Sequence, residues 1–130
     1  MLTIRTAQLD ILPGNIRANW ALIEKEITLA KEEGADLLVL PEMCLTGYLI
    51  GDLWDQNAFL REAERYNGRL REAAQGIMIA WGNVAIDWTK TNDDGRPRKY
   101  NAAFLAKDGA FLSPEGLHRP YAVKALLPNY

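Results

Sequence analysis

The chain has 130 residues and a mass of 14.6 kDa, and its 15 basic and 17 acidic side chains leave a formal net charge of −2. An apolar share of 48% and a charged share of 25% fit one folded domain, exclude a disordered chain and leave no basic footprint for nucleic acid. The single cysteine, Cys44, excludes an internal disulfide framework or a multi-cysteine zinc site, and no apolar run approaches the roughly 18 residues of a membrane span.

Residues 2–9 alternate Leu2, Ile4, Thr6 and Gln8 with Thr3, Arg5, Ala7 and Leu9, which predicts a strand. Residues 10–15 hold Pro13, Gly14 and Asn15, a breaker cluster in which Asn15 is placed to cap a helix. Beyond it Ile16, Trp20, Ile23, Ile27 and Ala30 recur every three or four residues, one apolar face opposed by Arg17, Glu24, Lys25, Lys31 and Glu32. Gly34 stands where such a helix ends.

Residues 36–40 (D-L-L-V-L) are a short apolar run of the kind covered on both faces in parallel sheets. Strand, helix and strand within forty residues predict a βαβ unit and an α/β fold. Glu42 follows Pro41 at this strand's carboxyl end, where active sites of open α/β sheets collect. After a mixed loop hinged at Gly47 and Gly51, a second helix is predicted over 57–74, with Phe59, Ala63, Tyr66, Leu70 and Ala73 on one side and Gly76 closing it. A third strand spans 77–86. Residues 89–98 read as a solvated hairpin loop turning at Asp94-Gly95, between strands at 99–106 and 110–117.

Taken alone, Glu42 reads as a surface or capping carboxylate, and Lys124 as a lysine snorkelling from an apolar segment. Cys44 reads as a small buried hydrophobe. His118, the one histidine, has no ligand partners at metal spacing and reads as a surface residue, so no metal site is expected. Trp20, Trp54, Trp81 and Trp88 do not interleave with a basic run, which speaks against a base-stacking platform.

The surroundings of Glu42 and Lys124 add a second line of inference. The run Pro41-Glu42-Met43-Cys44-Leu45-Thr46-Gly47-Tyr48, followed by Asp52-Leu53, resembles the glutamate motif of the nitrilase, or carbon–nitrogen hydrolase, superfamily. Within it, the chain is most similar to the glutaminase domains of glutamine-dependent NAD synthetases. Residues 4–10 with Gly14-Asn15 resemble the first strand and turn, Tyr100-Asn101-Ala102-Ala103 a later strand, and Lys124 with Leu127-Pro128-Asn129-Tyr130 the lysine motif.

The resemblance implies the first half of a four-layer α-β-β-α sandwich, with residues 1–130 as a partial glutaminase domain that stops just after the lysine motif. It implies a Glu–Lys–Cys mechanism with Glu42 as general base, Lys124 as the cation that stabilises the oxyanion, and Tyr48 and Tyr130 against L-glutamine. The family's nucleophilic cysteine lies on a later elbow and is not expected in this chain, so the chain alone is expected to be inactive. No cofactor is expected within the 130 residues; ATP and Mg²⁺ would belong to a synthetase domain of the parent protein. A cytoplasmic protein with no membrane or nucleic-acid partner is expected, also because Met1–Arg5 lacks a signal-peptide layout. One sheet face would lack its partner, which predicts self-association into a homo-oligomer or a complementary polypeptide. Two further readings stand: a fragment of another amidase, and a non-catalytic interaction module that tolerates Glu42→Gln and Lys124→Ala.

Overall fold

A computed structural model describes residues 1–113 and 119–126, and these described residues form two α-helices and one six-stranded sheet. The strands are β1 (Ile4–Thr6), β2 (Leu37–Val39), β3 (Met78–Thr91), β4 (Pro97–Lys107), β5 (Ala110–Phe111) and β6 (Ala122–Leu126). Helix α1 (Ile16–Glu32) joins β1 to β2, and α2 (Asn57–Ala73) joins β2 to β3 after a short 3₁₀ helix at Gly51–Asp55. Strands β1, β2 and β3 lie side by side and parallel. Because parallel crossovers are right-handed and the strand order advances in one direction, both helices belong on the same face of the sheet.

Local sequence explains the helix ends. The Asn15 side chain accepts from the Ala18 N–H at 3.1 Å, as its place before the apolar periodicity predicts. At the other end Gly34 takes φ +72° and the Ala35 N–H bonds back to the Ala30 carbonyl at 2.9 Å. On α1, Ile16, Ile23, Ile27 and Ala30 are buried as expected. Trp20 is only half-buried, and Asn19, absent from the expected face, is fully buried instead. On α2, Phe59, Ala63, Tyr66 and Leu70 are buried, joined by Leu60 and Asn67.

Strand alternation shows which face the helices cover. Leu38 and Ile79, side by side in register, have no exposed surface, whereas Leu37, Val39, Met78 and Ala80 are half-buried and Ile4 is 52% exposed. Arg5, on the helix side, pairs at 2.9 Å with Glu26 of α1 and at 2.6 Å with Glu33 just past its end. Among the described residues β2 is therefore covered on one face, not on the two that its apolar run suggested.

Other boundaries also move. The expected 2–9 strand is ordered as strand only over Ile4–Thr6. The third strand continues past residue 86 to Thr91, and β4 starts at Pro97, so the polar hairpin closes on residues 92–96. Backbone pairing does not need apolar side chains, and the ladder runs through Asp87↔Arg98 and, beyond an irregularity, Thr91↔Pro97. The strand expected over 110–117 is ordered only at Ala110–Phe111, and residues 114–117 of it lie outside the described residues. So do His118, Tyr130 and the rest of the 127–130 tail.

Candidate active site

Glu42 is placed by the way the chain leaves β2. The Leu40 N–H bonds to the Ala80 carbonyl at 2.8 Å, extending the β2–β3 ladder by one residue. Pro41 has no N–H to continue it, but its carbonyl accepts from the Gly82 N–H at 3.2 Å. The chain then turns, with Met43 at φ +47°, and returns so that the Cys44 N–H reaches the Gly82 carbonyl at 3.0 Å. Met43, Cys44 and Leu45 pack into the core with no exposed surface. The Glu42 side chain, 41% exposed, is left facing outward.

Lys124 comes from the opposite side of the site. Strand β6 pairs with β4 through Asn101↔Ala125 and Ala102↔Val123, so Lys124 is the extra residue of a bulge. A bulge re-aims a side chain that a regular ladder would alternate. The Lys124 ammonium donates to one Glu42 carboxylate oxygen. The Tyr48 hydroxyl donates to the other oxygen, and the Asn101 amide donates to that second oxygen from 3.5 Å.

Tyr48 is held by its own loop. Gly47, at φ +71°, turns the chain towards it, and the Trp54 indole N–H donates to the Tyr48 carbonyl at 3.2 Å. Asp55, next to Trp54, is tied to Arg96 of the β3–β4 turn at 2.7 Å. Beside these groups a cleft of about 200 Å³ opens between Glu42, Gly82, Asn101, Phe104 and Lys124.

The electrostatics follow from the contacts. The Lys124 hydrogen bond, then that of Tyr48, hold the Glu42 carboxyl below its ordinary value. Glu42 is thus an anion at neutral pH and can accept a proton. Desolvation, reinforced by the hydrogen bond to Glu42, pushes the Tyr48 phenol up to about 12, so it remains a donor. Cys44 is fully buried and its thiol is pushed up to about 12 by that burial, the environment of a packing residue and not of a reactive thiolate.

Of the four residues the motifs single out, three meet: Glu42, Tyr48 and Lys124. Tyr130 lies outside the described residues. Asn101 joins the site although the motif gives it no role; its contact comes from the β3–β4 register, which periodicity does not specify. Among the described residues no group of three or more His, Cys, Asp or Glu could hold a metal ion, and no helix is long and apolar enough to cross a membrane.

A mixed parallel and antiparallel sheet with a Lys-paired glutamate at a strand's carboxyl end is the architecture of a candidate α/β enzyme site. The carbon-nitrogen hydrolase family model matches residues 3–121, and the chain belongs to that family. It is 34% identical over 129 residues to a glutamine-dependent NAD(+) synthetase of Thermotoga maritima, covering 99% of this chain and 20% of that protein. The structure of a glutamine-dependent NAD+ synthetase from Acinetobacter baumannii matches with a TM-score of 0.72 at 28% identity, over 98% of this chain and 21% of that one. The NitN amidase from Nesterenkonia sp. AN1 shares the fold, with a TM-score of 0.75 at 23% identity over 100% of this chain and 46% of the amidase. The chain thus spans about a fifth of the synthetases and under half of the amidase.

Proposed function

We propose that this chain supplies the proton-handling and oxyanion-stabilising part of a glutaminase site that provides ammonia for NAD synthesis. The observation that carries this reading is the Glu42 carboxylate gripped by Lys124 and Tyr48, in a chain similar along 99% of its length to a glutamine-dependent NAD(+) synthetase.

In this reading Glu42 takes the proton of a cysteine thiol whose sulfur attacks the carboxamide carbon of L-glutamine. The Lys124 ammonium stabilises the negative charge that develops on the carboxamide oxygen. As the carbon–nitrogen bond breaks, Glu42 passes its proton to the departing ammonia, leaving a thioester. It then activates the water that hydrolyses this thioester and releases glutamate. Tyr48 and Tyr130 contact the glutamine. The nucleophile comes from outside these 130 residues, whose single cysteine, Cys44, is fully buried, so the chain alone is inactive. ATP and Mg²⁺ act in a separate synthetase domain of the parent protein, which is cytoplasmic.

The half-buried apolar sheet face, bearing Leu37, Val39, Met78, Ala80 and Leu105, completes the picture. The rest of the domain covers it where the two are joined, and self-association covers it where this chain is alone.

The test is ammonia release from L-glutamine by the polypeptide that the gene encodes, measured beside simple aliphatic amides. Glu42→Gln and Lys124→Ala are each expected to lower the rate by about 10² or more. Unchanged rates in both variants would replace this reading with a non-catalytic module. Turnover of the aliphatic amides alone would move the substrate class to a general amidase.

A further inference from the structure

The Glu42 turn rests on one residue of β3. Both backbone groups of Gly82 are spent on it: the N–H donates to the Pro41 carbonyl at 3.2 Å, and the carbonyl accepts from the Cys44 N–H at 3.0 Å. These bonds grip the chain on either side of Glu42 and Met43, which arch across β3 between them. The arch is tight enough that a methyl group on Gly82 would lie 2.6 Å from the Glu42 Cα, 3.2 Å from the Met43 nitrogen and 3.3 Å from the Glu42 carbonyl carbon. All three are backbone atoms, so no side-chain rotation relieves the contact. Gly82 does not have a positive φ. Its requirement is for space, not for conformational freedom.

A second observation places strain at the same point. Met43 is fully buried and holds φ +47°, a region that non-glycine residues adopt at a cost and only when their surroundings enforce it. The two bonds to Gly82 flank Met43, and its own carbonyl accepts from the Gly47 N–H at 2.9 Å. Directly across β4, Gly82 is in register with Ala103, two residues from Asn101. The strand that sets the height of the Glu42 backbone is therefore also the one that aligns Asn101 with its carboxylate.

We propose that Gly82 is a positioning residue for Glu42: its missing side chain lets the Glu42 backbone lie directly on β3, which sets where the carboxylate meets Lys124, Tyr48 and Asn101. This inference rests on Glu42 being the proton-handling group of the proposed glutaminase site, but its test reads the carboxyl itself and needs no turnover.

The experiment is a carboxyl ¹³C NMR titration of the 130-residue chain, with the Glu42 signal assigned by its loss in Glu42→Gln. The titration is run on the unsubstituted chain, on Gly82→Ala and on Gly68→Ala. Gly68 lies in α2, and apart from its chain neighbours and the helix's own backbone nothing lies within 4 Å of an added methyl, so it reports a glycine change away from the site. Gly82→Ala is expected to keep its far-UV circular dichroism while Glu42 titrates higher, towards its ordinary 4.5. Gly68→Ala is expected to leave Glu42 unmoved. A folded Gly82→Ala in which Glu42 titrates as before overturns the proposal, because a purely packing glycine would change stability and not this midpoint.

Amide exchange on the unsubstituted chain decides the matter if Gly82→Ala does not fold. The Gly82 and Cys44 amides are then expected to exchange as slowly as those of Ile79 and Ala80. Exchange of both as fast as the exposed Leu49 amide means that the grip is absent and overturns the proposal. Failure of the ammonia assay with these results intact would remove the glutaminase reading alone.

Discussion

Glu42 is stabilised as an anion by neighbours that also fix its orientation, and this gives its ionisation a measurable link to folding. Its folded pKa is lowered, first by Lys124 and then by Tyr48. The resulting stabilisation is present above the unfolded-state value and is lost as the pH falls through the folded one. Glu42 is 41% exposed and Lys124 61% exposed, so solvent keeps the contribution small. Urea denaturation between about pH 3 and 7 is therefore expected to show the native chain ahead of Glu42→Gln at neutral pH. The gap should close on acidification; a gap that widens in acid contradicts the assignment of partners. Glu42, Tyr48 and Lys124 were legible because the motifs around them are dense. Asn101 and Gly82 were not, because their roles arise only from the register of β3 and β4 and from the bulge at Lys124.

Among the elements, α1 does more than cover the sheet. Its buried Asn19 accepts from the Leu12 N–H at 2.7 Å and donates to the Leu12 and Leu45 carbonyls at 2.9 and 2.8 Å. It thereby ties the turn before α1 to the turn that carries Glu42. Asn19→Leu keeps the size and apolar character of the face but leaves these backbone groups unpaired. It is expected to lower stability by about 2–4 kcal/mol, read from chemical denaturation. A loss within about 0.5 kcal/mol would show that water replaces the amide. The 3.6-residue period predicts the Ile16, Ile23 and Ile27 stripe well. It passes over Asn19 because the groups that satisfy the amide are separated from it by 7 and 26 positions. The same limit applies to the hairpin, where polar residues 89–98 read as loop although Thr91 pairs with Pro97 and Arg98 with Asp87 in β3 and β4.

At the scale of the whole molecule, the helices cover one side of the sheet and leave the other apolar. Ile4, Leu37, Val39, Met78, Ala80 and Leu105 share that second face through the ladder. Contiguous apolar surface of this kind is what associating proteins bury. Light scattering on the isolated chain at micromolar concentration is expected to report dimers or larger species. Val39→Lys and Leu105→Lys should shift the distribution towards monomer. A stable monomer for the unsubstituted chain would contradict the expected coverage of this face.

In the proposed function Glu42, Lys124 and Tyr48 form an acid–base and oxyanion site whose nucleophile comes from outside these 130 residues. Its most direct test is ammonia release from L-glutamine by the purified 130-residue chain in reducing buffer, beside its Cys44→Ala variant. No ammonia is expected from either, because the Cys44 thiol is fully buried and pushed up to about 12. Release by the unsubstituted chain that disappears in Cys44→Ala would contradict that reading, and would make Cys44 the nucleophile.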